Sequence, residues 1–311
     1  MIDIIIPAFN AKETINKTIL SVCSQTIIKK LKIFIINDCS DYTYEEQIEL
    51  FKDKVDICEL KLSKNMGPGY ARQYGIDHSK NEYIYFLDAD DIFIDCFALE
   101  NLYNKIGQND IICGNVFYED ENNEIKAISN NYSFQLHGKL YSRKYIDEYK
   151  FSFNNSRNGE DNCFNRLLKI GTDNYVYCDN NILLYSYQKN SITDSKNYML
   201  NEIDKLTYNM LWMCEEAKKR SFKSKKIAFE LLSELVHFTN VFSMYFDSSE
   251  NINSIYKGFN KILESLKELN IDINKELLYD IYKNSTDNYL DWKRFYFIFS
   301  RILGKDNWTY E

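Results

Sequence analysis

Ile2–Cys23, IDIIIPAFNAKETINKTILSVC, decides the reading of the N-terminal half. Ile2 to Ile6 is an almost unbroken β-branched run, the composition of a strand buried on both faces. Ile15, Ile19, Val22 and Cys23 then fall at i, i+4, i+7 and i+8, one face of a helix. Between the two, Asn10 followed three residues later by Glu13 resembles a capping box, so Glu13 can be a plain helix cap. Outward from this unit the alternation repeats. LKIFIIN (31–37) reads as strand, YEEQIELF (44–51) as helix, VDICELKL (55–62) as strand, GPGYARQYGIDH (67–78) as helix and EYIYFL (82–87) as strand. Four strands joined by three helices predict a doubly wound α/β fold. Ala71 and Gly75, at i and i+4 of the third helix, offer a small face for close packing.

Beyond Asp91 the pattern is less regular. A helix is expected at 98–106, a strand near 110–118, and a hairpin or loop at EDENNEIKAISNN (119–131). A helix over 160–170, closed by Gly171, precedes two strand-like runs, NYVYC (174–178) and NILLYSY (181–187). The sheet therefore continues as a mixed one and the first domain is expected to span residues 1–195. Residues 196–311 show helical periodicity only, with stripes at Ile203, Leu206, Met210, Met213 and Ala217, at Leu231, Leu235, Phe238 and Phe242, and from Ile252 to Leu266. These predict a C-terminal all-α domain. Its last segment, LDWKRFYFIFSRIL (290–303), gathers Trp292, Phe295, Tyr296, Phe299, Ile302 and Leu303 on one face. Such a face can close the bundle, make a homodimer contact or lie on a bilayer surface as a peripheral membrane helix, helped by the basic run Lys218 to Lys226.

Composition narrows the function classes. The chain has 311 residues, 45% of them hydrophobic and 27% charged, with 2 Pro and 10 Gly, a globular profile sufficient for two domains. A net charge of −8 excludes a protein that wraps nucleic acid by neutralising phosphates. No basic leader precedes the first strand and no apolar run approaches the ~20 residues that span a bilayer, so a cytoplasmic address is expected. The eight cysteines are scattered without metal-ligand spacing and read as reduced, mostly buried thiols.

The strongest chemical signal is Asp88-Ala89-Asp90-Asp91, directly after the strand EYIYFL. In open α/β sheets ligands bind beyond the carboxyl ends of the strands. Carboxylates this close repel unless a cation such as Mg²⁺ or Mn²⁺ sits among them, although Asp is also common at helix caps and turns. Pro7, Ala8, Phe9 and Asn10 end the first strand, and Asn37, Asp38, Cys39 and Ser40 end the second, at the same sheet edge. Glu160-Asp161 opens a helix whose inward stripe holds Phe164 and Leu168, which puts Asp161 on that stripe. An acidic residue there is also simply favoured by the helix dipole.

Several ordered stretches resemble the GT-A glycosyltransferases, specifically the inverting family 2 typified by polysaccharide and capsule enzymes: IIIPAFNAKETINKTILSVCSQT, IFIINDCSDYT, KNMGPGYARQYGIDHSKNEYIYFLDADD, and GKLYSRKYI with GEDNCFNRLLKIG. The resemblance spans roughly residues 1–195. It implies a GT-A mixed sheet flanked by helices, a nucleotide diphosphate sugar donor, and a glycan, glycolipid or glycoprotein acceptor. It places donor binding on Pro7, Ala8, Phe9, Asn10, Glu13, Asp38, Asn65, Gly67, Arg72, Asp88, Ala89 and Asp90, with the nucleobase between Phe9 and Asp38 and with Arg72 near the diphosphate. Asp90 is implied as the direct metal ligand, Asp88 as its neighbour on the ribose or metal-bound water, and Asp161 as the general base. The family often has Tyr where this chain has Phe9 and Asp-Asp-Gly-Ser where it has Asn37 to Ser40. Gln188 stands where many relatives present a histidine to the metal and Ser186 where many have arginine, so water is expected to complete the metal shell. Lys139 and Arg143 match a basic stretch of these enzymes but read first as solvated surface residues. Two rival functions share some of these features: a sugar-nucleotide nucleotidyltransferase, which should show a Gly-rich basic loop that IIIPAFNAKET lacks, and a non-catalytic nucleotide-sugar or partner-binding module.

Overall fold

The structure is a computed structural model of the chain. It describes residues 1–120, 122, 124–127, 135–186, 203–222, 224–243, 249–271, 273–284, 293, 296, 299 and 300. The chain divides into two compact units, residues 1–189 and 190–311.

The first unit opens with β1 (Ile2–Ala8), α1 (Ile15–Cys23), β2 (Leu31–Asn37), α2 (Glu45–Phe51), β3 (Asp56–Lys61), α3 (Pro68–His78) and β4 (Tyr83–Phe86). β1 pairs in parallel with β2 and β4, and β2 with β3, giving the order β3-β2-β1-β4. Ile2, Ile4, Ile5 and Ile6 are fully buried because β1 is central and covered on both faces. α3 packs closely on β1: a side chain at Gly75 would sit 2.5 Å from Ile5 Cγ2, and Ala71 is fully buried, so the small face has a packing role. Asp3, an acid inside β1, is buried at no penalty in unmet hydrogen bonds. It accepts from the backbone N–H of Lys80 (2.8 Å) and Asn81 (2.6 Å), which secures the turn into β4.

The sheet continues through β5 (Ile92–Phe93), β6 (Ile111–Glu119), β7 (Ile125–Ala127), β8 (Lys139–Ser142) and β9 (Tyr175–Tyr185), with α4 (Ala98–Ile106), α5 (Arg143–Tyr149) and α6 (Glu160–Gly171) between them. The full order is β3-β2-β1-β4-β8-β6-β9-β5, with β7 on β6. β4–β8, β6–β8, β6–β7 and β5–β9 are antiparallel and β6–β9 is parallel, so the sheet is mixed. The two strand-like runs after α6 are one strand, β9, whose register slips against β6 between Cys113 and Val116. β7 and β6 form the hairpin expected of the polar stretch.

The sheet must curl. β4 and β5 stand four positions apart, about 19 Å in a flat sheet. The connecting chain folds into a turn in which Asp91 N–H donates to Asp88 O (3.2 Å), leaving too little length to cross that distance. β5 is instead brought back beside α1, where Phe93 N–H meets Ser21 Oγ at 3.2 Å.

The capping box at Asn10 and Glu13 does not form. α1 starts at Ile15 behind Thr14, without a side-chain cap. The N–H groups of Ala11 and Lys12 go to the hydroxyls of Tyr44 (3.1 Å) and Tyr42 (2.7 Å), so tyrosines from the β2–α2 loop hold this segment, and Glu13 is exposed.

The second unit contains α7 (Ile203–Lys219), α8 (Ser224–Ser243), α9 (Ser249–Glu268) and α10 (Lys275–Asn284). α7 packs against α8 and α9, and α8 against α10. The stripes meet in its core: Met210, Met213, Ala217, Leu231, Leu235, Phe259, Ile262, Leu263 and Leu266 are buried. Phe238, Phe242 and the stripe residues before Phe259 lie outside the residues whose side chains are described, as does most of 290–303. Tyr296 and Phe299 of that segment are buried, with Lys275 Nζ 5.3 Å from the Tyr296 ring. The basic run is partly neutralised within its own unit, Lys218 pairing with Glu268, and Lys219 and Arg220 with Glu216. Among the described residues no helix is long and apolar enough to cross a membrane.

Candidate active site

The carboxyl ends of β1, β2 and β4 bring the sequence candidates to one edge. Phe9, just past β1, leaves 53% of its surface exposed, while Ala8 behind it is buried. Asn10 and Cys39 both adopt left-handed backbone, φ +52° and +64°, and Ser40 Oγ accepts from Asn10 N–H at 2.9 Å, which clips the two strand ends together. Asp38 follows β2 and is buried. Its two oxygens accept from the N–H groups of Met66 (2.7 Å) and Gly67 (2.8 Å), the free donors at the start of α3. Gly67 holds φ +91°, which fits glycine and little else. Asn65, half-buried, leaves its side-chain oxygen without a donor, and its backbone oxygen accepts from Arg157 Nη2 at 2.8 Å. Asn37 braces the loop through Glu59 (2.6 Å) and Tyr42 O (2.9 Å).

The acidic turn is more enclosed than a surface cluster. Asp91 is fully buried and Asp88 and Asp90 half-buried. Ligand atoms of Asp88, Asp91 and His137 lie within 4.8 Å of one another. His137 Nε2 stands 3.5 Å from Asp88 Oδ2 and 3.3 Å from Asp91 Oδ2. Burial would depress its cation, yet the contacts with Asp88 and Asp91 lift it to about 10. Burial also favours neutral Asp88, but Arg72 and His137 outweigh it and hold that carboxyl well below the usual range. Asp90 forms no ion pair among the described residues, and His137 pulls on it only weakly. Burial, with Asp91 and Asp88 beside it, pushes it up to about 7.

These residues fit a hard divalent cation. Asp91 Oδ2 receives no well-aligned hydrogen bond although it is fully buried, and His137 Nδ1 is unpaired as well. Oxygen and imidazole donors converging beside an unneutralised Asp90 are the ligand chemistry of Mn²⁺ or Mg²⁺. Asp91 and His137 thus join a set that the sequence confined to Asp88 and Asp90. The imidazole comes from the turn before β8 rather than from position 188, which lies outside the described residues. Ser186 serves through its backbone, donating N–H to Asp91 Oδ1 at 3.3 Å. Tyr185 packs edge-on against His137, ring centroids 5.3 Å apart.

Arg72 emerges from α3 buried and bridges two acids, with Nη2 to Asp88 Oδ1 at 2.7 Å and Nη1 to Glu160 Oε1 at 2.9 Å. Glu160 is the first residue of α6 and Asp161 the second, half-buried. Burial and the adjacent Asp161 push Glu160 up to about 7 against the pull of Arg72. Lys139 and Arg143, expected on the surface, are enclosed. Lys139 is 3% exposed, its ammonium donating to the carbonyl of Gln135, and burial lowers it to about 8. Arg143 donates to Asn81 O (2.7 Å) and faces the buried Asp3 at 3.6 Å, so it braces the entry to β4.

The family model described as glycosyl transferase family 2 matches residues 3–168, more than half of the chain, including the acidic turn, His137 and the start of α6. The chain belongs to glycosyl transferase family 2. Among curated proteins, this family 2 member is 28% identical over 292 residues to the poly(ribitol-phosphate) beta-N-acetylglucosaminyltransferase TarP of Staphylococcus aureus, covering 84% of this chain and 89% of TarP. Its fold matches S. aureus TarS 1-349 solved in complex with UDP-GlcNAc, at a TM-score of 0.75 and 16% identity over 98% of this chain and 92% of that one. It also matches the Pyrobaculum calidifontis mannosyltransferase PcManGT in complex with GDP-Man and Mn²⁺, with a TM-score of 0.57 and 10% identity over 100% and 88% of the two chains. The mixed sheet flanked by helices is therefore the GT-A fold, and the family makes the chain a glycosyltransferase rather than a nucleotidyltransferase.

Proposed function

We propose that this glycosyltransferase moves a hexosyl or N-acetylhexosaminyl group from a UDP-sugar to a hydroxyl of a glycan, glycolipid or glycoprotein, with inversion and with a divalent cation. The observation that carries the reading is the juxtaposition of Asp88, Asp90, Asp91 and His137 with the start of α6, where Asp161 stands. TarS, solved with UDP-GlcNAc, supports the donor. The named acceptor of TarP makes an anionic polyol-phosphate polymer the first acceptor to try.

Phe9 offers an exposed ring on which a nucleobase can stack. Asp38 keeps a lone pair on each oxygen after capping α3, enough to accept the imino hydrogen of uracil. Asp88, Asp91 and His137, with Asp90 beside them, would hold the cation, which when bound neutralises charge on the departing nucleoside diphosphate. Asp161 takes the proton from the acceptor hydroxyl as its oxygen attacks the anomeric carbon opposite the diphosphate, and a single displacement inverts that carbon. A thermal-shift panel of UDP-, GDP-, CMP- and dTDP-sugars with and without Mn²⁺ tests the donor, since a ligand bound only by the folded state raises its midpoint. A Mn²⁺-dependent shift with UDP-sugars alone is expected; equal shifts with every nucleotide would overturn the uridine reading. Asp161→Asn should keep the shift while transfer falls by ~10² or more.

A further inference from the structure

His137 turns Nε2 toward Asp88 and Asp91, while its Nδ1, the atom through which a metal-site imidazole is ordinarily fixed from behind, is buried without a partner. The direction of the ring is therefore set by the backbone that carries it. That backbone is clamped. Lys139, the first residue of β8, is 3% exposed, and its ammonium donates to the carbonyl of Gln135 and to that of His137 itself at 3.5 Å. No carboxylate forms an ion pair with it among the described residues, so its hydrogens serve the turn. Asn165, fully buried one turn after Asp161 on α6, donates Nδ2 to the same Gln135 carbonyl at 3.2 Å and accepts from the Tyr141 hydroxyl at 3.0 Å. Gly138 completes the reversal at φ +68°, where a side chain would meet Val116 Cγ2 at 2.6 Å, and its carbonyl accepts from Gly114 N–H at 3.0 Å. The turn that presents His137 is thus tied to β6, to β8 and to the helix that carries Asp161.

We propose that Lys139 is a positioning residue for the cation site: by gathering the carbonyls of Gln135 and His137, it holds the His137 imidazole against Asp88 and Asp91. The inference rests on the reading of that group as a site for a divalent cation. An ammonium suits the task because its three donors radiate from one atom and can serve converging carbonyls. Lys139 also brings a positive charge, and its charge and its grip act in opposite directions. Removing a cation from the neighbourhood of a metal site strengthens metal binding by Coulomb's law, whereas releasing the turn weakens it. The sign of the change therefore tells position from charge.

The test measures Mn²⁺ affinity of the full chain by electron paramagnetic resonance at pH 7, with Mn²⁺ alone as the probe. It compares wild type with Lys139→Met, His137→Ala, the double variant, and Asn165→Leu, which unties the same carbonyl without changing charge. Circular dichroism checks folding. Lys139→Met is expected to bind Mn²⁺ fivefold or more weakly and His137→Ala tenfold or more weakly. The double variant should stay within twofold of His137→Ala, because the lysine acts through the ring. Where Lys139→Met does not fold, Asn165→Leu decides: a threefold or greater loss supports the proposal and a smaller one overturns it. Binding by Lys139→Met that is tighter than wild type, or less than fivefold weaker, while His137→Ala is impaired, would overturn the proposal and leave the cation site standing. So would losses that simply multiply in the double variant, since the lysine would then act elsewhere. Wild type that binds no Mn²⁺, or His137→Ala that binds it like wild type, overturns instead the cation reading of His137, and the role of Lys139 falls with it.

Discussion

Cys39 occupies a left-handed backbone position, φ +64°, of the kind glycine adopts most readily. A side chain there costs on the order of 1–2 kcal/mol, partly offset by the extra freedom glycine has when unfolded. Cys39→Gly should therefore stabilise the first unit by about 1 kcal/mol or less, read as a rise in the calorimetric midpoint. Asp90 makes a different prediction. With its carboxyl pushed to about 7, a cation must displace a proton from it below that pH, so Mn²⁺ affinity should climb about tenfold per pH unit up to 7. If His137, held near 10, also gives up its proton to bind, the climb doubles to about a hundredfold per pH unit below 7 and stays about tenfold above it; if it does not, the curve flattens at 7. Mn²⁺ electron paramagnetic resonance across pH 5.5 to 8.5 distinguishes the two. Asp88 to Asp91 were legible in the sequence because they follow a strand directly. His137 was not: a lone histidine 46 positions after Asp91 carries no spacing signal, and only the pairing of β8 with β4 brings it there.

At the scale of elements, Asp38 terminates one strand and caps the helix three elements later. Asp38→Ala should cost about 1–2 kcal/mol through the lost cap and loosen the first turn of α3, seen as faster amide exchange at Met66 and Gly67. Among the elements up to β4, β1, β2 and β4 were readable as continuous apolar runs and α1 as a clear helical face. β5, two residues long, and β8, four, are too short to show a period, and their strand character comes from the partners they meet. β9 looked like two strands because Asp179 and Asn180 interrupt its apolar residues, yet the register slip against β6 absorbs the interruption. α10 was not singled out in the sequence because, among its described side chains, only Leu278 and Ile281 are buried. Lys139 was misread for a related reason. Charge suggests surface, but a lysine whose ammonium meets a backbone carbonyl can stay inside.

For the whole molecule, that buried lysine links stability to pH. Lys139 is lowered from 10.5 to about 8 in the folded chain, so between those values the unfolded state binds the extra proton and folding gains as pH rises. The gain vanishes as pH falls through 8. Buried thiols and tyrosines, raised by burial, oppose it at high pH, so the informative quantity is a difference. The urea midpoint of wild type relative to Lys139→Met should rise from pH 8 to 10 and stay flat from pH 6 to 7.5. The curled sheet has a consequence of another kind. The five residues from Leu87 to Asp91 are both the clasp that closes the sheet and the acids the chemistry needs. Selection for foldability and selection for catalysis then fall on the same short stretch. A lengthened loop is cheap at the exposed hairpin tip near Asn122, whereas one residue gained or lost at the clasp forfeits scaffold and reactivity together.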